Sequence, residues 1–350
     1  MTGLSTSLVF GLFFIATLAT WAAGLVLADT TDVLDDRFGL GEALGGSILL
    51  GFAGTLPEIA ITVSASHSGD LGLATGNLLG GIAMQTLVLV LLDAVSRSHT
   101  PLTALSTVLE PIVEALVVII LLEIALLGHL LPASVALGSV SPVSLLLVLV
   151  WFGGVLLLNR LRTSERWRAV TEHVEAVMVA AAPSATANRG RFGSAGTRAV
   201  ILAFAGAAIV TLGAGVALER TGNELADRWG LNGVFFGATI LAAVTALPEI
   251  SSGLRAIRLG QVGLAMGDIF GGNQVQLTLF LLADLVAGQP ILQTVTPNTA
   301  WLGGIGLIVT ALYAVGLVVR PSRKLLGVGP DSLLVLVAYV VGLAGLVRIS

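Results

Sequence analysis

The hydrophobic pattern of this chain is a series of apolar stretches of about 20 residues, each long enough to cross a bilayer core as a helix, divided by short polar breaks. The breaks predict spans near residues 6–27, 38–67, 71–95, 103–128, 141–159, 198–218, 230–257, 262–286, 298–320 and 330–348. The first is preceded by MTGLSTS, which carries no Lys or Arg, so it reads as a membrane span and not as a secretory leader. Only residues 160–197, beginning RLRTSERWR, form a sizeable polar connection. It divides the chain into a five-span half (1–160), a linker loop (161–197) and a second five-span half (198–350).

Basic residues test this layout independently. With the N-terminus outside, the inner side receives Arg37, Arg97, Arg160, Arg162, Arg166, Arg168, Arg189, Arg191, Arg198, Arg255, Arg258, Arg320, Arg323 and Lys324, and the outer side only Arg220, Arg228 and Arg348. A missed or added span would scramble that separation. The expected protein sits in a prokaryotic inner membrane with both termini outside and the central loop in the cytoplasm. The loop's basic residues would face anionic lipid headgroups, and the loop is too short for a regulatory calcium domain of usual size.

Composition agrees: 55% of residues are hydrophobic and 11% charged, with a mean hydropathy of +0.98. The absence of cysteine excludes disulfides, thiolate metal sites and cysteine nucleophiles. The net charge of -4 identifies no partner. Inorganic cations and membrane lipids are the expected partners, with no sign of nucleic acid or of an obligatory protein partner.

Against this background the stretch GTLPEIAITVSASHSGDLGLATGN, residues 54–77, is costly. Pro57 removes a backbone hydrogen bond, and Glu58 places a carboxylate at bilayer depth. Shifted by 191 residues without a gap, LPEI at 56–59 falls on LPEI at 247–250, and Gly76 and Asn77 fall on Gly267 and Asp268. From Leu56 to Asp93, 15 of 38 positions are identical to their partners, including Gly69, Gly72, Gly80, Gly81 and Gln85. Biased composition would scatter Leu and Ala matches and would not pair prolines, glutamates and glycines. An odd number of spans per half inserts the second copy from the opposite side, so the expected fold is all-α and polytopic: ten transmembrane helices as two inverted five-helix repeats, with helices 2 and 7 broken. The repeats proper cover about 50–95 and 241–286.

Glu58 and Glu249 would then meet near the midplane. Hard carboxylate, carbonyl and amide oxygens suit Ca²⁺. Asn77 and Asp268 add one donor each, and Thr55 and Thr245 offer hydroxyls on the same helical faces. No histidine or thiol lies near, which argues against zinc or copper. Threonine often bonds its own helix, and Gln85 and Gln276 read equally well as interhelical struts.

The paired segments resemble the alpha repeats of the cation/Ca²⁺ exchanger superfamily, most closely its prokaryotic sodium/calcium exchanger branch. GTLPE with GNLLGG, and TALPE with GDIFGG, stand where that branch has T-S-L-P-E followed by G-N or G-D and a G-S-N stretch. The resemblance implies that Glu58 and Glu249 bind Ca²⁺, that Asn77 and Asp268 complete the site, and that carbonyls of Gly51 and Ala242 are secondary ligands. It also implies alternating-access exchange of Ca²⁺ for another cation. Each repeat keeps one of the two hydroxyls before LPE, and Ile82, Gln85 and Gln276 replace asparagines of the family, although Asn273 survives. These losses remove neutral oxygens that sodium needs, whereas the GN and GD positions favour sodium. The expected counter-ion is Na⁺, with H⁺ as the alternative.

Other acids lack partners. Glu110 and Glu114 of the fourth span match Trp301 and Ile305 and read as a solvated end, whereas Glu123, matched to Ala314, lies deeper. A proton path or second ion entrance is the functional reading of Glu123. Asp93 and Asp284 close matched spans and read as helix terminators. Two other classes compete with an antiporter: a passive cation channel, and an intramembrane protease for which AMGD resembles GxGD. The protease reading lacks the first glycine and a second aspartate.

Overall fold

The computed structural model describes residues 4–38, 50–106, 108–162 and 192–349. Its main helices are α1 (Thr6–Phe38), α2 (Leu50–Gly54), α3 (Leu56–Ser68), α4 (Leu71–Val95), α5 (Glu110–Gly128) and α6 (Pro142–Arg162). After the central connection come α7 (Thr197–Trp229), α8 (Gly233–Thr245), α9 (Leu247–Arg258), α10 (Val262–Ala287), α11 (Pro297–Val319) and α12 (Pro330–Ile349). Residues 163–191, most of the expected linker, lie outside the described residues.

Among the described residues, seven helices are long and apolar enough to cross a membrane, or eight if α8 and α9, bent by 43°, count as one broken span. Pro330–Leu346 is a shorter apolar helix. Of the span expected over 38–67, Phe38 ends α1 and residues 39–49 lie outside the described residues. Helices α1 and α7 run well past the expected ends at 27 and 218. Hydropathy ends a span where polar residues begin, but Ala28 to Phe38 contains no Gly or Pro to end the helix. α7 stops at Gly230, which adopts φ 65° and bonds back to Ala226 and Asp227.

Helix boundaries recur at the spacing of the sequence repeat. α1 and α7 are both 33 residues long and begin 191 residues apart, as do α3 and α9. After α4 and α10 the spacing contracts. Asp93 bonds the N–H of Leu102 nine residues on, and Asp284 that of Ile291 seven residues on. The last helices begin at Pro142 and Pro330, 188 residues apart. The ungapped pairing of Glu110, Glu114 and Glu123 with Trp301, Ile305 and Ala314 is therefore out of register, because the two loops differ in length.

The largest core joins α4, α5, α6, α10, α11 and α12. The long pair α1 and α7 packs in smaller clusters with α2, α3, α8 and the start of α4. Glycines let this pair reach the other helices at the prolines: a Cβ at Gly24 would stand 2.5 Å from Pro248 Cγ, and one at Gly215 2.6 Å from Ala60 Cβ and 3.0 Å from the Pro57 carbonyl oxygen. Gly24→Ala is therefore expected to lower stability by about 1–3 kcal/mol through overpacking. The check is thermal unfolding of the purified protein, and an unchanged midpoint would contradict this packing.

Candidate functional site

The site is built on two helix breaks. Thr55 separates α2 from α3 with φ -87° and ψ 7°, and Ala246 separates α8 from α9 with φ -80° and ψ 0°. The chain therefore breaks just before LPE, and Pro57 and Pro248 occupy the first turn of the following helix, where a missing N–H costs nothing. Glu58 and Glu249 follow in those first turns, a position that favours negative charge. In α8 the break is preceded by a turn of π-helix, Gly237–Leu241, a widening often associated with functional sites.

Between the α1/α7 pair and the main core, Glu249 has two further acids, Glu58 and Asp268, within its electrostatic reach, although as placed no three acids among the described residues are grouped to hold one metal ion. A cavity there is lined by Gly24, Gly54, Thr211, Glu249, Ser252 and Asp268, among others. Glu249 Oε1 and Asp268 Oδ1 converge on the face of Gly54, since a Cβ built there would lie 3.9 Å from the first and 4.0 Å from the second. Glu249 also lies within electrostatic reach of Glu58. Glu58 is 1% exposed, and Thr245 of the other half is the hydroxyl beside it. Neither oxygen of Glu58, nor Oε2 of Glu249, has a hydrogen bond of normal length. Buried acceptors left so in a membrane interior are expensive unless something else fills them.

The remaining sequence-predicted residues fall into two groups. Asn77 is buried with neither amide atom bonded, and so is Asn273. Thr55 and Thr245, in contrast, turn onto their own helices: Thr55 Oγ1 donates to the Gly51 carbonyl at 2.9 Å, and Thr245 Oγ1 to that of Ala242 at 3.2 Å. The carbonyls of Gly51 and Ala242 each also accept one backbone N–H at 3.1 Å. Gln85 and Gln276 meet across the halves, with Gln85 Nε2 donating to Gln276 Oε1 at 3.1 Å, while Gln276 Nε2 donates to the carbonyls of Asn77 and Leu78.

Sequence reasoning missed two residues here. Ser252 donates to Asp268 Oδ2 at 2.6 Å and fixes that carboxylate. Glu114 is no solvated end: it is 2% exposed, and its Oε2 would lie 3.4 Å from a Cβ at Gly267, the residue before Asp268. A burial signal for Glu114 exists only once α5 is placed against α10. Glu123 projects instead to the exposed surface of α5, away from the carboxylate cluster. Asp93 and Asp284 do more than end their helices, as both anchor loops through backbone N–H groups.

Helices long enough to span a bilayer, broken around a buried carboxylate cluster, define a membrane ion transporter. The particular family follows from comparison with known proteins. The family model described as sodium/calcium exchanger protein matches residues 8–163 and 199–347, and the chain belongs to that family, whose members are transporters and not enzymes. Inner membrane protein YrbG of Escherichia coli (strain K12) is 24% identical over 255 residues, which cover 73% of this chain and 72% of that protein. Several solved structures share the fold, among them two exchangers by name. The H⁺/Ca²⁺ exchanger CAX superposes with a TM-score of 0.68 at 13% identity, covering 97% of this chain and 86% of that one. The sodium-calcium exchanger NCX_Mj, soaked with Na⁺ and Sr²⁺, gives 0.60 at 15% identity, covering 97% and 99%.

Proposed function

We propose that this protein is a secondary active antiporter that exchanges Ca²⁺ for Na⁺ by alternating access, with ten transmembrane helices in two inverted five-helix repeats. The observation that carries the reading is the convergence of Glu249 and Asp268 on the open face of Gly54, with Glu58 behind them. Carboxylate oxygens without donors suit a hard divalent cation. Glu58, Glu249, Asp268 and Asn77 supply the side-chain ligands in this reading, and the carbonyls of Gly51 and Ala242, each already accepting a threonine hydroxyl and a backbone N–H, join as secondary ligands only when the threonine lets go. Thr55 and Thr245 then set the breaks and turn to the ion only by giving up their carbonyls.

Charge sets the coupling. Three carboxylates exceed what one Ca²⁺ neutralises, and an emptied site carries their full repulsion unless monovalent cations replace it. A channel needs no such replacement. The separate packing of α1 and α7 supports a moving wall on one side of the cluster. With the central loop inside, cavity residues Leu27, Ala28 and Ser252 lie on the cytoplasmic side of Glu58. This reading places the protein in an inner membrane with both termini outside.

One observation favours H⁺ as the counter-ion. A Cβ at Gly81 would stand 2.6 Å from Gln276 Nε2, so the Gln85–Gln276 pair fills the space beside it, and the two threonines are spent on their own helices. Few neutral oxygens remain for sodium. Reconstituted protein decides between the readings. Inward Na⁺ gradients at fixed pH are expected to drive radiolabelled Ca²⁺ out of vesicles, with little response to a pH gradient at fixed Na⁺. The reverse pattern selects the proton, and Ca²⁺ flux that needs neither gradient would overturn exchange.

A further inference from the structure

Asp284 and Asp93 anchor loops in matched ways. Asp284 accepts from the N–H of Ser141 at 2.9 Å and of Ile291 at 2.7 Å, with Ser144 alongside. Asp93 accepts from the N–H of Leu102 at 3.0 Å and of Gly329 at 2.6 Å, and from the Ser332 hydroxyl at 3.0 Å. Ser141 and Ser144 stand at the start of α6 where Gly329 and Ser332 stand at the start of α12. As structural clamps the two are equivalent, and each ties one half to the other.

Their surroundings differ. Beside the Asp284 clamp, Val143 packs a methyl on Gly128, 2.5 Å from where a Cβ there would be. The residue in that place beside Asp93 is Asp331, whose carboxylate packs on Gly316. Asp331 is 7% exposed, and neither of its oxygens is hydrogen-bonded. Its Oδ1 covers Gly329, where an added Cβ would collide with it and lie 3.2 Å from Asp93 Oδ2. Two carboxylates thus meet over one glycine. The fully buried Tyr313 has an unbonded hydroxyl and lies within electrostatic reach of both; the other half has Ala125 in its place.

The nearby cations do not close the balance. Lys324 Nζ is 3.2 Å from Asp93 Oδ1 and also donates to the backbone carbonyls of Asp93 and Ser96. Arg320 is committed to the carbonyls of Ala104 and Ser106, at 2.8 and 2.6 Å. With Lys324 paired to Asp93 and the Arg320 guanidinium paired to neither acid, the buried Asp331 has no direct counter-ion, and the N-terminus of α12 offsets its charge only in part. Oxygen donors alone are the ligands a hard cation takes.

We propose that Asp331, Asp93 and the Tyr313 hydroxyl form a second cation site, charge-balanced for one alkali cation, which locks the ends of α4, α11 and α12 together. It shares no residue with the transport site and does not rest on the exchange reading. Next to Lys324 in the chain, residues 325–327 are exposed.

The test is thermal unfolding of full-length Glu58→Gln/Glu249→Gln protein in detergent, titrated with NaCl or KCl against choline chloride at constant ionic strength. A saturable rise in the midpoint of about 2–4 °C is expected with Na⁺ or K⁺, since a ligand bound only to the folded state stabilises it. Asp331→Val, which installs the residue of the other half, is expected to remove the rise. Tyr313→Phe keeps the packing and is expected to raise the half-saturating concentration about tenfold, equivalent to about 1.4 kcal/mol. No cation-specific rise in the parent, or the same rise in Asp331→Val, overturns the site. Should Asp331→Val not fold, an unchanged half-saturating concentration in Tyr313→Phe does so.

Discussion

Glu249→Gln is expected to abolish gradient-driven Ca²⁺ movement in reconstituted vesicles, and Glu58→Gln to do the same. Each substitution keeps the side-chain shape and one acceptor oxygen but removes a full negative charge from a cluster whose other members are Glu58 or Glu249 and Asp268. Removing one partner of a buried charge pair costs about 3–5 kcal/mol. That corresponds to roughly two to three and a half orders of magnitude in Ca²⁺ affinity. The two positions are not interchangeable. Glu249 lines the cavity, whereas Glu58 lies behind it beside Thr245, so Glu249→Gln removes the first contact of an entering ion and Glu58→Gln the occluded one. Calorimetric titration with Ca²⁺ should show the affinity loss in folded protein for both. Flux at the parental rate in both variants would eliminate this cluster as the transport site.

Much of this site was legible because it breaks the chemistry of its surroundings. Proline and glutamate in an apolar run are conspicuous, and their recurrence at a fixed spacing shows that the expense is deliberate. Those signals singled out Glu58, Glu249 and Asp268, which the fold brings near one another, and Asn77, which is buried with its amide unbonded. The position of the break was less legible. Proline suggests an interruption at itself, yet the chain turns at Thr55 and Ala246 and uses each proline to begin the next helix.

What the sequence concealed depends on neighbours far along the chain. Glu114 resembles a surface acid near a helix end, and only the approach of Gly267 from α10 makes it an interior one. Glu123 lies deeper along its span, but depth along an axis says nothing about the face, and its face is exposed. Asp331 opens its helix like an ordinary first-turn acid. Its oddity appears only when the contracted loops bring it level with Val143 of the other half.

The role of Gly54 gives a graded test of the site's geometry. A Cβ at Gly54 would lie 3.9 Å from Glu249 Oε1 and 4.0 Å from Asp268 Oδ1, which is ordinary contact distance. Gly54→Ala should therefore fold and transport, with Ca²⁺ affinity reduced by no more than about tenfold, or 1.4 kcal/mol. Gly54→Val and Gly54→Leu add carbons beyond that Cβ, directed between the two carboxylates. A Ca²⁺ ion there needs oxygens at about 2.3–2.6 Å on several sides, and a branched hydrocarbon replaces some of them and separates the others. Exchange in these variants should fall to the level of empty vesicles, while thermal unfolding shows protein still folded, since Gly54 borders a cavity and not a packed helix face. A matching series at Gly271, where an added Cβ would meet nothing within 4 Å, separates bulk from position. If Gly54→Leu transports as well as Gly54→Ala, the ion does not sit between Glu249 and Asp268.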